Sequence, residues 1–216
     1  MSKTLFDDIK KSLVELDDVK VKELIQKALE EGVSPMEIIE KALRPAMVEI
    51  GDKFEQGEYF LAELVVAGDI FKEVMDEIIV PELRKRGGEV SKLGTVVIGT
   101  VRGDLHDIGK SIVASMLSAA GFEVVDLGVD VPPEKFVEAV KKHNADIVGM
   151  SALLTTTMLE MKSVIEALKK EGIRSKVKVI VGGAPITPEF AKEIGADAYA
   201  KDAVEAVEVC RRLLAK

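Results

Sequence analysis

The spacing of apolar residues changes once along this chain, near residue 90, and that change restricts the possible folds more than any other feature. Before it, apolar residues recur at intervals of three and four, the repeat of one face of a helix. After it come short continuous runs of β-branched residues with helical stretches between them. A 3.6-residue stripe and a buried strand cannot serve the same layer, so two differently built halves are expected. The reading is an all-helical domain over residues 1–87 and an alternating strand and helix domain over residues 92–216.

In the first half Leu5, Phe6, Ile9, Leu13 and Leu16 form one stripe. Asp17 or Asp18 can cap a second helix, with Val21, Leu24, Ile25, Ala28 and Leu29 on its inner face and Gly32 as its stop. Ser34-Pro35 opens a third, with Glu37 placed for a capping box. Its stripe runs through Ile39, Ala42, Leu43, Ala46, Met47, Ile50 and Phe54, and Pro45 is expected to kink or restart it. Gly57 precedes a fourth helix from about Tyr59 to Arg86. Short links between amphipathic helices favour antiparallel neighbours, so the expectation is a four-helix bundle. Residues Tyr59 to Ala67 are apolar on nearly every side. They form either a central core helix or one whose outer side covers something apolar.

Arg84-Lys85-Arg86-Gly87-Gly88-Glu89 reads as a linker. Beyond it, runs at 95–100, 123–127, 146–150 and 177–181, and a weaker one at 198–200, suit strands buried on both faces. Helical stretches follow near 109–120, 133–143, 156–171, 187–194 and 202–214. Strict alternation with short loops implies a five-stranded parallel sheet, doubly wound and flavodoxin-like, in the order 2-1-3-4-5. Such α/β sheets bind ligands beyond the carboxyl ends of their strands, here the loops after residues 100, 127, 150, 181 and 200.

Charge narrows the function. The 38 Asp and Glu outnumber the 30 Lys and Arg, giving a net charge of −8 with acidic residues spread throughout. A nucleic-acid surface needs clustered cations, so nucleic acid is not an expected partner. No apolar run reaches the 18 or so residues of a membrane span. The chain turns acidic at Asp7-Asp8, where a signal peptide becomes apolar, so a cytoplasmic location is expected. One cysteine, Cys210, excludes an internal disulfide and any zinc site with several thiolates. Two histidines remain, His106 and His143.

The loop after the first run reads Thr100-Val101-Arg102-Gly103-Asp104-Leu105-His106-Asp107-Ile108-Gly109-Lys110-Ser111. Gly-Lys-Ser at a helix start imitates a phosphate loop, but Gly103 and Gly109 enclose five residues instead of four. Asp104 stands where the first glycine belongs, and Asp107 adds negative charge where a triphosphate must sit. The loop offers instead Asp104-x-His106-x-x-Gly109. Residues two apart on extended backbone point the same way, so the carboxylate can fix the imidazole tautomer and leave one nitrogen free. A His beside an Asp is also an ordinary solvated turn. Zinc fits poorly: His143 lies in the polar helix end Lys141-Lys142-His143-Asn144, and Cys210 sits on an apolar stripe. A metal on His106 would need its other ligands from a macrocycle, either haem or corrin. Ser151-Ala152-Leu153-Leu154-Thr155-Thr156-Thr157-Met158 and Gly182-Gly183-Ala184-Pro185 supply small side chains at later strand ends. They suit a slot for a long, partly polar group, and equally helix caps and a turn.

Asp104-x-His106-x-x-Gly109, then Ser151-x-Leu153 about 42 residues later, then Gly182-Gly183, resembles the signature of cobalamin-binding domains. The helical half is similar to the cap that precedes such a domain in cobalamin-dependent methionine synthase and in small corrinoid proteins. The resemblance covers essentially the whole chain. It implies bound cobalamin, base-off, with His106 replacing the benzimidazole as the lower cobalt ligand. Asp104 would bond the far side of His106. Thr157 stands where methionine synthases have a serine completing the relay. The loop as a whole, with Gly103, Leu105, Asp107, Ile108 and Gly109, would touch the cofactor. Its displaced nucleotide tail would descend past Ser151, Leu153, Thr155, Gly182 and Gly183, with Ala203 near its end. In the cap, Phe54, Leu61, Leu64 and Val65 would shield the upper face, and Glu40 would approach the methyl side.

The resemblance further implies a methyl carrier that cycles between Co(I) and methyl-Co(III). It would accept the methyl group from a substrate-specific methyltransferase serving methylamine, methanol, betaine or methoxyl donors. A second, corrinoid:acceptor methyltransferase would pass it to coenzyme M or a tetrahydrofolate-type acceptor, and a reductive activase is a further implied partner. The linker around Arg86-Gly87-Gly88 is the candidate hinge for moving the cap. Two other classes share these motifs. A cobalamin-dependent sensor usually carries a DNA-binding segment, for which 216 residues are expected to leave no space. The B12-binding subunit of an adenosylcobalamin mutase normally lacks the helical half. A flavodoxin-like receiver is disfavoured because Met150-Ser151 stands where its phosphorylated Asp belongs.

Overall fold

A computed structural model describes residues 2–86 and 92–215 of the chain. Of the expected linker, Gly87, Gly88 and Glu89 lie outside the described residues, so the hinge expectation does too, apart from Arg86. The chain divides into two compact units, Met1–Ser91 and Lys92–Lys216.

The first unit is helical. α1 (Ser2–Val14) and α2 (Asp18–Glu30) are followed by α3 (Pro35–Ile38), a π-helical turn Ile39–Leu43 and α4 (Arg44–Glu55). α5 (Leu61–Val74) runs through a second π-helical turn, Met75–Ile79, into α6 (Val80–Lys85). Four rods therefore form the bundle among the described residues, with α1 against α2, α4 and α5. Ile9, Leu13, Val21, Ile25, Ala42, Leu43 and Ile50 have no exposed surface. Burial of such side chains stabilises the unit by roughly 1.5–3 kcal/mol for each large one.

Local chemistry differs from expectation in three places. Leu16 lies beyond α1 at φ 61, in the turn that leads to Asp17, whose carboxylate accepts from the Lys20 N–H at 3.0 Å. Ser34 forms no side-chain cap, so only the Glu37 half of the box is present: its carboxylate accepts from the Ser34 backbone N–H and also takes the Lys41 ammonium at 2.6 Å. Pro45 neither breaks nor restarts its helix. The Arg44 N–H bonds back five residues to the Ile39 carbonyl, and this widened turn accommodates the proline that follows. The same device precedes Pro81, where the Val80 N–H reaches the Met75 carbonyl.

In the second unit the strands are β1 (Thr95–Thr100), β2 (Glu123–Asp126), β3 (Ile147–Ser151), β4 (Lys178–Gly182) and β5 (Ala198–Tyr199). All pairings are parallel, in the order β2-β1-β3-β4-β5. The intervening helices are α7 (Ile108–Ala120), α8 (Pro133–His143), α9 (Glu160–Lys170), α10 (Pro188–Ile194) and α11 (Ala203–Leu214). Every residue of β1 is buried, as its unbroken β-branched run requires. One face of the sheet carries a core of Val97, Phe136, Val148, Val164, Ile165 and Val179, and the other a core of Val96, Leu117, Ile147, Val209 and Cys210. Register places Thr100, Ser151 and Gly182 side by side at the carboxyl ends of β1, β3 and β4. α9 starts at Glu160 and not near 156, because residues 154–159 are spent on turns that bring Thr157 under the first loop.

Candidate functional site

The loop from Val101 to Asp107 is fixed at nearly every residue. Val101 bridges to Val131, and the Val101 N–H donates to the Ser151 carbonyl at 3.1 Å. The Gly103 N–H donates to Asp130 Oδ1 at 2.6 Å, and the Asp130 N–H returns to the Asp104 carbonyl at 2.9 Å. Buried Thr100 donates its hydroxyl to the His106 carbonyl at 2.9 Å.

Asp104 organises the loop's centre. Its side chain has no exposed surface, yet the carboxylate accepts four hydrogen bonds. Oδ1 takes the His106 N–H at 3.1 Å and His106 Nδ1 at 2.6 Å. Oδ2 takes the Leu153 N–H at 2.8 Å and the Thr157 hydroxyl at 2.6 Å. Burial pushes the carboxyl upward, but the bonds from Thr157, Leu153 and His106 outweigh it and hold the group well below the usual carboxylate range. An ionised carboxylate can only accept, so Nδ1 of His106 carries the proton. Nε2 is the ring nitrogen that Asp104 does not engage, on a side chain that is 50% exposed.

Around this imidazole lies an apolar rim. Leu105 is 72% and Ile108 64% exposed, and Leu153 and Leu154 are each 43% exposed. Asp107 turns away from the rim, with its carboxylate on Lys110 at 2.8 Å and on the Ser111 hydroxyl at 3.0 Å. Thr155 is exposed, Ser151, Gly182 and Gly183 are half-buried at the neighbouring strand ends, and Ala203 is buried in the first turn of α11. His143 ends α8 half-buried, and Cys210 is fully buried, which pushes its thiol up to about 12.

In the helical unit Glu40 is exposed on the first π-helical turn and Phe54 is half-buried. The all-round apolar segment divides: Leu64 is buried at 2% exposure, Val65 is half-buried, and Leu61 is open at 53%. Phe60 and Val66, not picked out from sequence, are open as well. Thr100, Asp130, Lys110 and Asp126 were also missed. Thr100 reads as one more strand residue, and nothing near Asp130 marks a residue that closes a loop 27 positions away.

The site fits a large ring that takes a single nitrogen from the protein. Its one donor atom is oriented and presented, and apolar side chains flank it. A Cβ built on Gly109 meets nothing within 4 Å, so no neighbouring protein atom demands glycine there. The exposed backbone at that point is suited to close approach by something outside the protein. Among the described residues no three His, Cys, Asp or Glu side chains gather as a multi-ligand metal site requires.

A doubly wound domain with one oriented imidazole above the carboxyl end of its first strand, preceded by a four-helix unit, defines a macrocycle-binding protein. Residues 94–208 match the B12 binding domain family and residues 5–79 match a second B12 binding domain family, so the chain belongs to the B12-binding proteins. It is 47% identical over 205 residues to trimethylamine corrinoid protein 1 of Methanosarcina acetivorans, covering 95% of this chain and 94% of that one. It is 48% identical over 211 residues to the dimethylamine corrinoid protein of Methanosarcina barkeri, covering 98% of both. Among solved structures it resembles a chain of the methanol:cobalamin methyltransferase complex of Methanosarcina barkeri. The TM-score there is 0.84 at 31% identity, over 98% of this chain and 80% of that chain. No helix among the described residues is long and apolar enough to cross a membrane.

Proposed function

We propose that the chain is a corrinoid methyl carrier of a methylamine-type methyltransferase system, with His106 as the protein ligand to cobalt. The observation that carries this is the four-bonded carboxylate of Asp104, which commits Nδ1 and does not engage Nε2. When bound, cobalamin supplies the cobalt that takes up a methyl group and gives it away. The chain's own residues orient, shield and manage protons. Asp104 holds the Nδ1 proton and so leaves Nε2 as the ring nitrogen free to meet the cobalt. Thr157 donates to the far oxygen of Asp104 and completes the relay with a hydroxyl, as a serine would.

Ser151, Leu153, Thr155, Gly182 and Gly183 would hold the nucleotide tail, with Ala203 at its end. Phe54, Leu61 and Val65, with Phe60 and Val66, would shield the reactive face from water and oxidants, and Glu40 would lie on the methyl side. Leu64 is the weakest of the expected shield residues because so little of it is exposed. A substrate-specific methyltransferase is the partner that the methanol complex supports. An acceptor methyltransferase and a reductive activase follow from the need to remove the methyl group and to restore an oxidised cobalt. A cytoplasmic setting suits these partners. Near-equal identity to trimethylamine and dimethylamine proteins supports the methylamine class without choosing a member.

The test is reconstitution with methylcobalamin. The parent chain is expected to show the spectrum of imidazole-ligated cobalt and His106→Ala to bind the cofactor without it. An unchanged visible spectrum in His106→Ala sinks the ligand assignment.

A further inference from the structure

Lys110, in the Gly109-Lys110-Ser111 run that imitates a phosphate loop in the sequence, is a deeply buried charged side chain beside the imidazole loop. Its side chain is 1% exposed. Its ammonium contacts Asp107 Oδ1 at 2.8 Å and also Asp126 Oδ2. Removing an ammonium from water is costly even when it is paired, and a buried ion pair adds little net stability over apolar packing of all its members. Net stability of the fold is therefore a weak reason for a lysine here.

Its contacts explain it better. Asp107 follows His106 directly, and its second oxygen accepts from the Ser111 hydroxyl at 3.0 Å. Asp126 ends β2, and its second oxygen accepts from the Gly128 N–H at 2.9 Å, while the Gly128 carbonyl takes the Thr100 N–H at 3.0 Å. The ammonium thus ties the residue after the imidazole to the carboxyl ends of two strands. Asp104 and Thr100 hold His106 from the other side. We propose that Lys110 is a positioning residue. It clamps Asp107 between α7 and β2, and so fixes the backbone that aims Nε2 of His106. This rests on His106 being the cobalt ligand.

The full-length variants Lys110→Met, Lys110→Arg, Asp126→Asn and His106→Ala test it in two arms. In cofactor-free protein, proton NMR follows exchange of the His106 Nδ1 proton with water. That exchange is expected to be about tenfold faster in Lys110→Met, and within about twofold of the parent in Lys110→Arg, for a loop loosened by a fraction of an ångström. The melting temperature of Lys110→Met is expected to fall, because the Asp107 and Asp126 carboxylates lose the cation between them, and to stay near parental in Lys110→Arg. With methylcobalamin, the ratio of imidazole-ligated to unligated cofactor is expected to fall about tenfold in Lys110→Met, and in the same direction in Asp126→Asn. Parental exchange and parental ratio in Lys110→Met overturn the proposal. If Lys110→Met does not fold, Asp126→Asn decides, and parental values there overturn it. If His106→Ala keeps the parental spectrum, the ligand reading is what has failed, and the exchange arm alone judges the clamp.

Discussion

At the scale of residues, Asp104 carries the most consequence. Replacement by Asn keeps the shape but turns one acceptor oxygen into a donor facing donors. Asp104→Asn is therefore expected to lose about 2–3 kcal/mol of stability at pH 7, measured by urea unfolding, because buried donors are left unmet. The pH dependence has a definite sign. The folded carboxyl is held below its unfolded value of 3.8, so its contribution is fully present above that value and is lost as pH falls below it. Acid unfolding of the parent should steepen below about pH 4, and Asp104→Asn should show a shallower acid limb; identical limbs would refute the role of the carboxylate. Thr157→Ser should leave stability near parental, whereas Thr157→Val should cost about 1.5–3 kcal/mol, the worth of a bond to a charged group. The pairing of Asp104 with His106 was legible because two residues on one extended loop must share a side. Thr157 was legible only through the resemblance, since a contact spanning 53 positions leaves no local trace.

At the scale of elements, two glycines contrast, Gly183 that the fold needs and Gly109 that it does not. Gly183 adopts φ +127, and a Cβ there would lie 1.9 Å from the Ala152 carbonyl oxygen. Gly183→Ala should destabilise the cofactor-free chain by about 2–4 kcal/mol through strain and displacement of the β3 end. Gly109→Ala stands in the open first turn of α7 and should be neutral or stabilising by up to about 1 kcal/mol without cofactor. It should nevertheless weaken cobalamin binding, by about tenfold if the bared backbone lies against the ligand. Calorimetry and a cobalamin titration on both variants check the contrast, and equal effects of the two on stability would contradict it. Strand order and most element boundaries were legible because buried parallel strands announce themselves as apolar runs between helical periods. The π-helical turns were not. A proline inside a periodic helix signals disruption, and nothing in the composition shows whether the strain is relieved by a break or by one wider turn.

At the scale of the whole molecule, the proposed carrier role assigns the activation of the methyl donor to a second protein. Outside the His106 loop the described ionisable groups are mostly surface ion pairs such as Lys22 with Glu73 and Lys141 with Glu171, each worth little in water. The two B12 binding matches together span most of the chain. Catalysis needs groups that stabilise charge where it develops in the transition state. Here the chain supplies one oriented imidazole and an apolar rim, which suit holding a cofactor more than polarising a carbon–nitrogen bond. Hence the reduced, cobalamin-loaded chain alone, mixed with trimethylamine, dimethylamine or monomethylamine, should stay unmethylated on the timescale of turnover. Addition of the matching methyltransferase should methylate the cofactor, seen as a change in the visible spectrum, with one amine far ahead of the others. Rapid methylation by a free amine without any second protein would show that the substrate-activating groups lie within this chain, and the carrier reading would have to give way to that of a complete methyltransferase.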